Sequence, residues 1–278
     1  MRRWIARSMA LALAVIAAGP ATAEPRMAIF DTHVHYSRAA WAGLTPTVVR
    51  GLLSDAGVTR ALVSSTPDDG TLRLRDFDPS MFVPELRPYH GQVHSANWHN
   101  DKGIIAYLES RLAANTYKGI GEFHLYPGAE KLAPSLNKVV ALAVARDIPL
   151  HVHAGAGPVR KLFELDPNLT VLWAHAGMST LPDVIGPMME AYPRLSAELS
   201  FRAEDITDAK GDIDPAWRSL LIRYKDRFMI GSDTFENERW ASYSDLIESH
   251  RFWLRMLPPD VARTIAFDNA ARMFGDGG

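Results

Sequence analysis

Short apolar runs that end in a histidine or an acid recur along this chain. They are AIFDTHVH (Ala28–His35), PLHVHAG (Pro149–Gly155), VLWAHAG (Val171–Gly177) and FMIGSDT (Phe228–Thr234), each closing in small residues or a turn. A fifth, KGIGEFH (Lys118–His124), ends in Glu122. The apolar runs predict buried strands near 28–33, 60–64, 81–86, 118–123, 148–153, 170–174, 195–200 and 228–232. Between them, apolar residues at helical spacing predict helices near 46–56, 103–115, 135–146, 158–164, 181–191, 215–224 and 243–256. Punctuation agrees with this. Pro182 opens one helix and Pro193 stops it, and Pro134 stands near the start of another. Alternating strands and helices predict α/β with a parallel sheet, and eight strands favour a closed (β/α)₈ barrel over a doubly wound sheet. The closing stretch PPDVARTIAFDNAARMF is expected to pack outside that barrel, and residues 65–103 read as irregular around one strand. Long loops of this kind carry function or cover a site.

The first residues change the picture of what folds. Arg2, Arg3 and Arg7 precede a short apolar stretch from Met9 to Ala18, and Ala21-Thr22-Ala23 offers a cleavage site. Residues 1–23 are therefore expected to be a cleaved signal peptide, with the protein periplasmic or secreted. The Arg2-Arg3 pair is also compatible with twin-arginine export. Cleavage leaves 255 of the 278 residues, a common size for one barrel, so 24–278 is expected to be a single domain. It also takes away three arginines and no acid, so the net charge of −2 becomes −5. An acidic chain without a Lys/Arg cluster argues against a nucleic-acid partner. There is no cysteine. Disulfides, thiolate metal sites and cysteine nucleophiles are excluded, and any bound metal has nitrogen and oxygen ligands.

Candidate chemistry follows from where the polar residues stand. His33 and His35 are two apart, so in a strand both face one way and could share a metal. Glu122 follows an apolar strand, where a buried carboxylate needs a cation or another partner. His151 and His153 also share a face, but His151 is one layer deeper and is expected to be a packed core histidine, leaving His153 as the ligand. His175 repeats the pattern of apolar strand, His, Ala and Gly. Asp233 ends the eighth strand, and no strong helix begins right after it for it to cap.

Taken together, His33, His35, Glu122, His153, His175 and Asp233 fall at the ends of strands one, four, five, six and eight. They converge on one mouth only if the sheet closes. In this set, and in NAARMF near the end, the chain resembles the amidohydrolase superfamily of metal-dependent hydrolases. Its texture is closest to the branch holding both hydrolases and decarboxylases. The resemblance implies a barrel without an accessory β-sandwich and one or two divalent metals, zinc first, with manganese or iron admitted by the same donors. It implies catalytic roles for Asp233, which would relay a proton from an activated water to the leaving group, and for His175, which would help polarise the carbonyl. Many superfamily members carry a carboxylated lysine on strand four, where this chain has Glu122.

The implied reaction is hydrolysis of an amide, ester or lactone of a small molecule, with decarboxylation of an aromatic or unsaturated acid as the alternative. A deoxyribonuclease is disfavoured by charge. Arg87, Arg202 and Arg239 follow strands three, seven and eight and are expected to meet an anionic group of the substrate, with His124 beside them.

Overall fold

The computed structural model describes residues 26–128 and 135–275, so the signal peptide expected at residues 1–23 lies outside the described residues. Eight strands are present among them: β1 Ile29–Val34, β2 Val58–Ser64, β3 Phe82–Glu85, β4 Ile120–Leu125, β5 Leu150–Ala154, β6 Val171–Trp173, β7 Leu195–Glu198 and β8 Phe228–Met229. All pairings between neighbours are parallel, in the order β1-β2-β3 and β4-β5-β6-β7-β8. Two parallel bridges, Asp31 to Ile230 and Leu86 to Ile120, join the two sheets at both seams and close the barrel.

Each strand is followed by a helix. The seven expected helices are found at Pro46–Asp55, Ile104–Ala114, Leu136–Arg146, Ala156–Leu165, Pro182–Ala191, Pro215–Arg223 and Tyr243–Leu254. Local chemistry starts two of them. The Thr45 side chain accepts from Val48 N–H ahead of Pro46, and Asp214 Oδ1 accepts from Ala216 and Trp217 N–H ahead of Pro215. An eighth, Asp69–Phe77, corrects the reading of residues 65–103 as irregular. Its inner face is Gly70, Thr71 and Leu74, so only one large apolar residue marks the buried side. Gly70 is required there because a side chain would collide with the Tyr36 carbonyl.

The closing segment also needs correction. Rather than lying outside the wall, it seals the barrel floor. Phe30, Leu62, Val83, Leu172 and Met229, from five strands, form one cluster with Ala270, Ala271 and Phe274. Phe267 and Phe274 both tilt against Phe30, at 6.0 and 6.1 Å between ring centres. Burying each such aromatic contributes about 1.5–3 kcal/mol. Phe30 faces this floor, whereas His33 and His35 face the mouth, a change of parity along one strand. The register shift between Asp31 and Val34 accommodates it.

Candidate metal centre

Above the apolar floor the barrel interior turns polar. His33, His35, Glu122, His175 and Asp233 are buried, and His153 is the most open of the six, with a quarter of its side chain exposed. The six side chains meet in two groups. His33 Nε2 lies 3.0 Å from His35 Nε2, and Asp233 Oδ1 is 3.4 and 3.3 Å from them. Glu122 Oε2 completes this group, 3.6 and 3.3 Å from the same nitrogens. On the other side, Glu122 Oε1 is 2.9 Å from His153 Nδ1 and 3.7 Å from His175 Nε2, and those nitrogens are 3.2 Å apart. Asp233 Oδ2 reaches toward the second group, 3.8 Å from His175 Nε2.

The ring protons explain why these contacts are not ordinary hydrogen bonds. His33 Nδ1 donates to Glu198 Oε1 at 3.0 Å, and His35 Nδ1 donates to the Ser64 carbonyl. Neither acceptor can donate, so when the rings are neutral, as ligation of a metal requires, both Nε2 atoms carry lone pairs and face each other. His175 Nδ1 donates to Ser200 Oγ at 2.7 Å, whose own proton goes to Glu198 Oε1, again leaving Nε2 as the inward lone pair. Asp233 Oδ1 is buried with no hydrogen-bond partner. Converging lone pairs and an orphaned carboxylate oxygen are the donor set of a cation. Four ligands at zinc distances would stand about 3.3 Å apart, which the spacings of the first group bracket.

Ionisation reflects the same crowding of negative charge. Burial opposes the His33 imidazolium, yet the carboxylates of Asp233, Glu198 and Glu122 hold its pKa well above the ordinary 6.5. Burial likewise works against the carboxylates, but His33 and its neighbours keep Glu122 well below the usual range and Asp233 at about 2.

A deeper layer holds these side chains in place, and sequence reasoning missed most of it. Glu198 is fully buried; besides His33, it accepts from His175 N–H at 2.6 Å and Ser200 N–H at 2.7 Å. Its stretch, LSAELS, has the same form of apolar strand ending in an acid, so the signal was present in the sequence. His151 lies in this layer, with Nδ1 3.0 Å from Glu85 Oε2 and its ring 4.7 Å from that of His33. Gly231 is needed beside it, since a Cβ would run into Glu198 and His33.

The arginines do something other than expected. Arg87 is buried and donates to the Glu122 carbonyl (3.1 Å) and to Glu122 Oε2 (2.9 Å). Arg202 is buried and donates to the carbonyls of His175, Ala176 and Thr180 at 2.7–3.4 Å. Arg239 donates to the carbonyls of Asp233 and Ser232 at 2.5 and 2.6 Å. Each therefore grips backbone at or beside one of the six converging side chains. The loop under Arg202 needs such support, because His175, Ala176 and Met178 all have positive φ. His124 is at the mouth, stacked on His153 at 4.2 Å. The Tyr89 hydroxyl accepts from His124 N–H and donates to Nδ1 at 2.9 Å, which leaves the ring proton on Nε2.

A closed parallel barrel with a ring of histidines and carboxylates at the carboxyl ends of its strands defines the class of metal-dependent (β/α)₈ enzymes. Comparison with known proteins makes this narrower. The amidohydrolase family profile (Amidohydro_2) matches residues 80–275, and the chain belongs to this family. Similar solved structures include an amidohydrolase from Burkholderia multivorans with bound zinc, at 16% identity and TM-score 0.60 over 88% of this chain and 98% of that one. A Pseudomonas putida protein assigned as a 2-pyrone-4,6-dicarboxylic acid hydrolase matches at 14% identity and TM-score 0.61, over 91% and 99%. A point variant of the organophosphorus hydrolase from Deinococcus radiodurans matches at 13% identity and TM-score 0.57, over 90% and 93%. No curated protein matches the chain significantly.

Proposed function

We propose that the protein is an exported hydrolase that cleaves an amide, ester or lactone of a small molecule at a centre of two divalent ions, zinc first. The observation that carries this reading is the placement of Glu122, whose two oxygens face two separate sets of donors. His33, His35 and Asp233 would hold one ion, His153 and His175 the other, with Glu122 shared. Bound there, such ions act as Lewis acids and lower the pKa of a water toward neutrality.

The chain's own groups do the rest. Asp233 would hold an ion through Oδ1 and turns Oδ2 toward the His175 side, where that second oxygen can accept a proton from the attacking water and return it to the leaving group. Water then adds across the scissile bond, its oxygen to the carbonyl carbon and its proton to the leaving oxygen or nitrogen. His124, protonated on Nε2, offers a hydrogen bond at the mouth. Decarboxylation on a single ion would use the same ligands without Glu122, and its central position speaks against that.

Asp233→Asn tests the assignment. The variant is expected to keep its circular dichroism and bind metal, while turnover of a responsive ester or lactone falls by about 100-fold or more. Near wild-type turnover with unchanged metal content would remove Asp233 from the role.

A further inference from the structure

The exposed apolar residues of the chain are unevenly placed. Among the described residues eight large apolar side chains are at least 40% exposed; Val48, Phe77 and Phe252 lie on helices, whereas the other five, Tyr126, Met178, Leu181, Phe201 and Phe235, follow the carboxyl ends of β4, β6, β7 or β8. Apolar surface gathered at the mouth of a polar site marks a ligand surface. Phe201 is the most informative of them. It is 45% exposed, with its ring edge-on to the ligand His175 at 5.5 Å. Its φ is +63°, at a position in the Leu199–Arg202 turn that suits glycine. The fold holds a bulky aromatic residue in a left-handed conformation and leaves half of it in solvent. Core packing gives no reason for this. Phe235, half exposed, lies 6.3 Å from Phe201, and across the mouth Tyr126 tilts against His124 at 5.6 Å.

Charge at the mouth points the same way. Arg87 and Arg202 are buried in contacts with the protein itself. Arg239 gives two of its three nitrogens to carbonyls and stacks its guanidinium on the Phe201 ring at 4.0 Å, leaving only Nη1. The same loops expose Glu204, Asp205, Glu236 and Glu238. On the loops after β7 and β8 an anionic substrate would meet one unengaged guanidinium nitrogen beside Glu204, Glu236 and Glu238, with exposed Arg38 standing on the separate loop after β1.

The geometry points to a substrate whose scissile carbonyl is carried by a flat, uncharged ring, an aryl ester, aryl lactone or aryl amide, with Phe201 and Phe235 as the ring-binding wall. This rests on the proposed metal-centred hydrolysis, and it differs from a preference for acidic substrates. A binding measurement separates the two ideas. Benzohydroxamate and acetohydroxamate share a metal-seeking head and differ in the ring, while 4-carboxybenzohydroxamate adds an anion to the ring. Titrated calorimetrically into the zinc-loaded protein, benzohydroxamate is expected to bind about tenfold or more tighter than acetohydroxamate, consistent with burial of one ring. The 4-carboxy compound is expected to bind no tighter than benzohydroxamate. Phe201→Ala should bring the benzo-to-aceto ratio below about threefold; Phe235→Ala provides a second variant should the first fail to fold. A ratio unchanged in both variants, or a 4-carboxy compound bound tenfold tighter, overturns the inference. No binding by any of the three overturns the metal-centred reading beneath it.

Discussion

Glu198 illustrates how one buried side chain can serve both halves of the site. Its carboxylate takes the Nδ1 proton of His33 and the backbone N–H of His175, and through Ser200 it orients the His175 ring. Burial would raise its pKa, yet His33, His175 and these hydrogen bonds hold it well below the usual carboxylate range. Such partners fix the tautomer of a ligating histidine and raise its basicity. Glu198→Gln keeps the shape but replaces one acceptor oxygen with a donor group, leaving a buried N–H without its partner. Metal affinity, read by competition with a chelating dye, is expected to fall about 10- to 100-fold. Ser200→Ala, which disturbs only His175, should cost less. An affinity unchanged in Glu198→Gln would mean that the interior layer is packing and nothing more.

At the scale of elements, helix 243–254 locks the seam where β8 meets β1. Its Tyr243 donates to Asp31 Oδ2 at 2.8 Å, and Asp31 Oδ1 accepts from His33 and Ser232 N–H. Two turns further on, His250 donates from Nε2 to the Gly231 carbonyl at 3.0 Å, two residues before Asp233. Burial is the main cause that pushes the His250 pKa down, from 6.5 to about 4. The unfolded chain therefore takes up this proton near pH 6.5 and the folded chain only near pH 4. Stability from neutral His250 is present above pH 6.5 and is lost as pH falls toward 4, on the order of 3 kcal/mol in all. His250→Gln keeps a donor for Gly231 without titrating. Denaturant midpoints of the chelator-treated proteins should converge as pH drops from 7 to 4. A constant difference across that range would show that His250 does not couple folding to protons.

For the whole molecule, the periodic parts of the chain were legible and the contextual parts were not. Strand-end histidines could be read because a barrel places the ends of all strands at one mouth, so a local pattern carries global meaning. Helix 69–77 was missed because Leu74 is the only large apolar residue on its buried face. The floor-sealing role of Phe267 and Phe274 was missed because periodicity tells which face is apolar and not which surface it meets. The backbone contacts of Arg87, Arg202 and Arg239 were not legible for a related reason, since composition cannot tell whether a guanidinium also reaches the protein's own carbonyls. The proposed two-ion centre, with Glu122 shared between two donor sets drawn from strand ends, unites these parts. Equilibrium dialysis of the metal-free protein against zinc, with the bound ion counted by mass spectrometry, tests it most directly. About two ions per wild-type chain, and no more than about one in Glu122→Gln, is the predicted result. One ion in the wild type, or two retained in Glu122→Gln, would contradict it.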